Sequence, residues 1–259
     1  MNHRRVSLGI AGELGAKKAA ALAPRLEEAG FRTLWINETP GTNALEVAAA
    51  AARETESLRV ATGVIPIDRR SVSELLDDLD RLDLPTDRLT LGIGSGQMRR
   101  GALAAVEQTL AELRAGTDAR LALGALGPRM RELAARHADA LVLNWLTPEA
   151  AREQSEAFHA VQPAGEVVLY ARTNADPSAR ARLEEEADRY GGYPAYAAHF
   201  ARLGVTARET VLPPEPEGEI APRLGAYTAA VDEVVLRAIT PGDRTDEFLA
   251  FLPLARARA

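Results

Sequence analysis

Several short runs in this 259-residue chain carry residue types able to hold an anion or move a proton. The run Gly92-Ile93-Gly94-Ser95-Gly96 is the strongest of them. Glycines permit close backbone approach, and free backbone N–H groups there can cradle a phosphate or a polyhydroxyl chain. It is not the dinucleotide fingerprint G-x-G-x-x-G, because residue 97 is Gln. A plain tight turn reads equally well. Gly127-Pro128-Arg129 marks the start of a helix, whose unpaired N–H groups and partial positive charge suit phosphate, with Arg129 as an added cation. The bland alternative is a Gly-Pro helix start with a solvated Arg129. Thr62-Gly63-Val64 ends an apolar run, and a glycine there marks either unusual peptide geometry or a close neighbour. Asn37 and Glu38 end another such run, and a carboxylate so placed can hold a substrate or transfer a proton. A helix cap or an ion pair is the competing role for Glu38. Arg172 and Arg237 suit a phosphate or carboxylate, or else a structural ion pair with Glu38, Glu233 or Asp232. Trp145, after Asn144, either stacks on a ring or fills core.

Other chemistries find little support. The four histidines are His3, near the start, and His137, His159 and His199 within or at the ends of helical patterns. They form no H-E-x-x-H or His/Asp cluster, so no metal site is expected. No G-x-S-x-G elbow appears. The chain has no Cys, which removes disulfides, thiolate ligands and a cysteine nucleophile. Lys occurs only at 17 and 18, on a helix, so no strand end offers a Schiff-base lysine. The net charge of -6 argues against nucleic acid as the main partner. No run of about 20 apolar residues suggests a membrane span, and the start does not read as a secretory signal. A cytoplasmic protein acting on a small molecule is expected.

The elements that must position these residues alternate along the chain. Apolar, β-branched runs at Val6–Gly12, Thr33–Asn37, Arg59–Ile65, Leu89–Ile93, Arg120–Ala125, Ala140–Asn144, Val167–Arg172 and Glu233–Ala238 read as buried parallel strands. Between them lie helical patterns. Ala16–Ala29 stops at Gly30, and Ala44–Glu54 is capped by Thr42 or Asn43. Ser73 caps a helix to about Asp83, and Arg100–Ala115 stops at Gly116. Pro128–His137 starts on Pro, and Thr147 caps a helix to about His159. Pro177–Arg202, broken by Gly191-Gly192 and Pro194, predicts two helices, and Arg244–Leu252 closes the chain. Leu212–Glu219 reads as an exposed loop. Eight βα repeats with no linker predict one domain over 1–259, a closed (β/α)8 TIM barrel, with a doubly wound sheet as runner-up. The candidate residues then all fall at strand C-termini, where such barrels carry their sites.

These runs resemble the luciferase-like monooxygenases and coenzyme F420-dependent oxidoreductases, in the methylenetetrahydromethanopterin reductase-like branch. Ala23–Glu38 (APRLEEAGFRTLWINE) is similar to the family's first helix and second strand, and Leu45–Val64 (LEVAAAAARETESLRVATGV) to its next helix and third strand. Leu79–Gly96 (LDRLDLPTDRLTLGIGSG) resembles the Leu-Asp segment before a glycine-rich strand, and Ala125–Pro148 (ALGPRMRELAARHADALVLNWLTP) the fifth helix and sixth strand of the F420 branch. The likeness runs from Val6 to about Pro148 and more weakly through Val231–Thr240.

The resemblance implies a barrel that binds coenzyme F420, or alternatively FMN, at its mouth and transfers hydride to a small organic substrate. It implies a non-prolyl cis peptide at Gly63-Val64 backing the ring, with Thr62 beside it. It implies ribityl and phosphate contacts from Gly94, Ser95, Gly96, Gly127 and Arg129, ring contacts from Asn144 and Trp145, and Glu38 and Asn37 as the catalytic pair. A homodimer is the family expectation. Two departures stand out. The family's Glu-His after the second strand is Glu38-Thr39 here, and the long insertion between strands four and five is cut to one helix. A barrel that binds flavin without turnover, or a phosphate-binding barrel isomerase or lyase, are the rival readings.

Overall fold

The computed structural model describes residues 5–212 and 220–256. Its strands and helices alternate: β1 Val6–Ala11, α1 Ala16–Ala29, β2 Thr33–Asn37, α2 Ala44–Arg53, β3 Arg59–Thr62, β4 Ile65–Pro66, α3 Val72–Arg81, β5 Leu89–Gly94, α4 Ala102–Gly116, β6 Arg120–Gly124. There follow α5 Pro128–His137, β7 Ala140–Asn144, α6 Pro148–His159, β8 Glu166–Thr173, α7 Arg180–Gly191, α8 Pro194–Leu203, α9 Ile220–Ala230 and β9 Glu233–Ala238, with 3-10 turns over Thr245–Arg256. All strand pairings are parallel, in the order β3-β2-β1-β9-β8-β7-β6-β5-β4. A further β3–β5 pairing closes the sheet. β3 and β4 are two pieces of one stave, so the barrel has eight. The crossover from β5 to β6 is the single helix α4.

Closure separates two apolar cores. Outward-facing strand residues such as Leu8, Ile10, Leu34, Leu91 and Leu236 pack on the helices. Inward-facing residues, every second one along each strand, make a second cluster: Trp35, Ala61, Ala122, Ala140, Val142, Val168, Tyr170 and Val235. Below it, at the N-terminal end, Glu233 accepts hydrogen bonds from Ser7 Oγ and Trp35 Nε1, each at 2.6 Å. Arg32 bridges Glu233 and Glu166. Above it the barrel opens at the strand C-termini.

Local differences from the sequence expectations have local causes. The expected strand Arg59–Ile65 is interrupted at Gly63–Val64, whose peptide is cis. Ser71, not Ser73, caps α3 in a full capping box with Glu74, because Glu74 lies three residues after Ser71. That helix ends at Arg81, and Asp83 turns with φ 49°. α4 starts at Ala102 because Gly101, at φ 70°, is not helical. His3 and residues 213–219 of the expected Leu212–Glu219 loop lie outside the described residues. Leu212 itself is buried, bridging to Thr173 beside β8.

Candidate functional site

A cavity of about 400 Å³ occupies the barrel mouth. That size lies within the usual range for small-molecule sites. Its floor is the break between β3 and β4. Asn37, the last residue of β2, donates from Nδ2 to the Gly63 carbonyl at 2.6 Å, and Gly63 N–H donates to Ile36 O at 2.8 Å. These bonds tie the cis peptide to β2. Val64 then lies over the fourth and fifth staves, where side chains are missing. A Cβ on Gly94 would stand 2.7 Å from Val64 Cγ2, and one on Gly124 3.2 Å from Val64 Cγ1. A Cβ on Gly92 would lie 2.1 Å from the Thr62 carbonyl, so the backbones of β3 and β5 approach closely only without it. On the other side, Tyr170 reaches across from β8, and a Cβ on Gly63 would fall 1.8 Å from its hydroxyl.

One rim is the turn after β5. Gly96 adopts φ 60°, and Asp68 packs against it while accepting from Gln97 N–H at 2.8 Å. The opposite wall is polar and aromatic. Arg172 is buried, donates from Nε to Glu186 at 3.2 Å and also bonds Asn144 Oδ1. Its guanidinium lies 4.1 Å from the Trp145 ring centroid and 4.9 Å from that of Tyr190. Burial works against this cation, but Tyr190 and Glu186 more than offset it and hold its pKa above the ordinary value. Tyr190, Ala195 and Tyr196 from α7 and α8 line the cavity above it. Burial, with Tyr190 adjacent, pushes the Tyr196 phenol up to about 12.

Ten of the sequence candidates meet in this cavity: Asn37, Glu38, Gly63, Val64, Gly94, Ser95, Gly96, Gly127, Asn144 and Arg172. Four do not line it, Arg237 among them. Thr62 turns to β5, donating to Gly92 O at 2.9 Å and accepting from Gly92 N at 2.8 Å. Arg129 is exposed on the first turn of α5. Trp145, at φ 55°, is buried with Phe200 and Ile239 behind Arg172. Glu38 lines the cavity but is engaged. One oxygen accepts from Ala44 N–H, the start of α2, at 3.2 Å and pairs with Arg70 at 3.4 Å. Burial outweighs these partners and raises its pKa. Arg172 and Arg237 pair with Glu186 of α7, not with Glu38, Glu233 or Asp232. Glu233 sits at the other end of β9, a full strand away from Arg237.

Tyr170, Tyr190, Tyr196 and Glu186 escaped the sequence reading. Tyr170 was within reach of it, since it shares the inward face of β8 with Arg172, two residues on. The other three are brought in by helix packing alone.

The residues present fit a planar, polar-edged group. The glycines leave a shallow cradle, and Asn37 Oδ1 and Tyr170 Oη are buried at its floor without partners. Among the described residues no group of three or more His, Asp or Glu is placed to hold a metal ion.

Residues 3–100 match the model of the family described as luciferase-like monooxygenase. The resemblance to the luciferase-like family therefore stands. Solved structures of low identity share the fold. The coenzyme F420 dependent tetrahydromethanopterin reductase from Methanopyrus kandleri is 15% identical, with a TM-score of 0.71 and 98% of both chains covered. An F420-dependent secondary alcohol dehydrogenase, in complex with an F420-acetone adduct, is also 15% identical, with a TM-score of 0.72 and coverage of 97% of this chain and 99% of that one. The oxygenating constituent of 3,6-diketocamphane monooxygenase from Pseudomonas putida, in complex with FMN, is 13% identical, with a TM-score of 0.70 over 98% and 97%. No curated protein matches the sequence. Among the described residues no helix is long and apolar enough to cross a membrane.

Proposed function

We propose that this protein is an oxidoreductase that uses coenzyme F420, or less favourably FMN, to reduce or oxidise a small organic substrate. The observation that carries the reading is the cavity floor. Gly63 and Val64, held by Asn37 and faced by Gly94 and Gly124, line the closed end of the barrel mouth beside the unpartnered Asn37 Oδ1 and Tyr170 Oη. A reduced deazaflavin or flavin bound there supplies a hydride. The chain's own residues bind and orient. Gly94, Ser95 and Gly96 offer backbone to the ribityl arm, and Gly127 opens α5 with nothing within 4 Å of its missing Cβ. Arg172 is the buried cation of the wall. Tyr190 and Tyr196 restrict water. Glu38, with its raised pKa, is the acid available to balance a proton. The run ALGPRM…LNWLTP favours the deazaflavin. The protein is further read as a cytoplasmic homodimer; sedimentation of the pure protein would test the dimer, and cell fractionation the location.

A barrel that holds the ligand without turnover is the second reading. It is favoured by the engagement of Glu38 with Arg70 and α2, and by Thr at position 39. The deciding experiment is a fluorescence titration of pure protein with F420 and with FMN, followed by a substrate panel. Micromolar binding of F420, with FMN weaker and with turnover, supports the enzyme. Binding without turnover on any substrate supports the second reading, and binding of neither ligand removes both.

A further inference from the structure

Tyr170 presents an unusual combination. It is fully inside the barrel, it lines the mouth cavity, and its hydroxyl has no partner. Packing explains the ring. It meets Trp35 edge-on at 5.9 Å between centroids, and a Cβ at Gly9 would stand 3.2 Å from its ring carbon Cε1. Packing does not explain the oxygen. A phenylalanine would fill the same space between Gly9 and Gly63. The hydroxyl instead places inside the barrel a buried oxygen that bonds nothing in the chain, an arrangement that costs stability unless another group satisfies it. Burial holds the Tyr170 phenol far above its ordinary pKa, against the weaker pull of Arg172 and Arg237, so it remains a neutral donor. Its position is also specific. It abuts Gly63, the residue whose peptide forms the cavity floor, and it lies two residues before Arg172 on the same inward face of β8.

We propose that Tyr170 is a ligand-binding residue whose hydroxyl donates to an acceptor, a carbonyl oxygen or ring nitrogen, on the edge of a heteroaromatic ligand held over Gly63. This rests on the flavin or deazaflavin reading above. The test is Tyr170→Phe, a variant that keeps the ring and its packing. Two quantities are read: the melting temperature without ligand, and the Kd for F420 and for FMN by fluorescence titration. Loss of one neutral hydrogen bond raises Kd about fivefold. The ligand-free melting temperature stays level or rises, because an unsatisfied oxygen is gone. The bound ligand's absorption band shifts between the two proteins, since a donor to the ring edge perturbs it. Equal Kd values and superimposable spectra would overturn this inference alone and leave the cofactor reading standing. A lowered ligand-free melting temperature with unchanged Kd would overturn it by showing a structural role for the hydroxyl. A wild-type protein that binds neither ligand would overturn the cofactor reading, and this inference with it.

Discussion

Glu186→Gln should destabilise the protein by an amount the geometry allows one to bound. Arg172 and Arg237 are register partners on β8 and β9, and both side chains turn into the barrel mouth. Like charges on neighbouring strands repel. Glu186, from α7, lies between them, with its oxygens 3.2 Å from Arg172 Nε and 3.8 Å from Arg237, and Arg189 approaches at 3.8 Å. The Arg172 side chain is 2% exposed and that of Glu186 11%, so little water screens the pair. Removing one partner of a buried ion pair costs about 3–5 kcal/mol, because the other charge is left uncompensated. Glutamine keeps an acceptor for Arg172, which places the expected loss near the lower end, about 3 kcal/mol. At about 2–4 °C per kcal/mol for a chain of this size, the melting temperature falls by about 6–12 °C. The control is Glu185→Gln, at the exposed neighbouring position, expected to stay within about 0.5 kcal/mol. Acid titration adds a second readout. Burial alone would raise the Glu186 pKa, but Arg237 and Arg172 outweigh it and the carboxyl lies below its ordinary 4.5. Its stabilisation is therefore fully present above that value and is lost as pH falls through the lower, folded-state pKa. The acid limb of the stability profile should be shallower in the variant. A loss under about 1 kcal/mol with an unchanged acid limb, on the scale of surface substitutions, would refute the claim that Glu186 holds the two arginines.

The remaining predictions concern the cradle and its surroundings. Gly92→Ala sets a Cβ 2.1 Å from the Thr62 carbonyl, a backbone atom that cannot step aside, and should cost at least about 3 kcal/mol by chemical denaturation. Gly127→Ala has open space around the new methyl and an extended φ of -96°, but Gly127 is also the N-cap of α5, where Ala is a poorer cap, so the two effects offset and stability should stay within about 0.5 kcal/mol of wild type. If Gly127 contacts the cofactor, that same variant weakens ligand affinity, which titration reads separately. His199 is buried on α8, its Nε2 3.1 Å from the Trp145 carbonyl. Burial, helped by Arg202 and Arg131, depresses its pKa below 6.5 despite that bond. Its neutral form is thus favoured in the folded state, so stability is full above about pH 6.5 and declines as pH falls through the folded-state pKa. Thermal melts from pH 7.5 to 5 should show this slope in the wild type and a flatter one in His199→Asn, and identical slopes would remove His199 as the cause.

The barrel was legible in the sequence because parallel strands buried on both faces read as short apolar runs, and each helix between them carried its own start or stop residue. Ala16–Ala29, Thr33–Asn37, Pro128–His137 and Ala140–Asn144 needed nothing from the rest of the chain. The site was legible in part for the same reason: residues at strand ends must share one rim once the barrel closes, so Asn37, Gly63, Gly94 and Asn144 were bound to meet. Where a boundary shifted, as at Ser71 and Gly101, the cause was a cap or a positive φ that composition alone leaves ambiguous.

The order of elements, and which residues lie at the mouth, follow from local periodicity and chain order alone. What those residues do there was set by how the folded helices pack. That packing turned Trp145 into the core behind Arg172, committed Glu38 to Arg70 and the start of α2, and supplied Glu186 from a helix to separate two arginines that the strands force together. It also leaves the Tyr170 hydroxyl bonding nothing in the chain. Such pairings depend on helices that cross the rim at angles no local pattern encodes, since α7 and α8 are placed by packing on the finished barrel and not by the strand that precedes them.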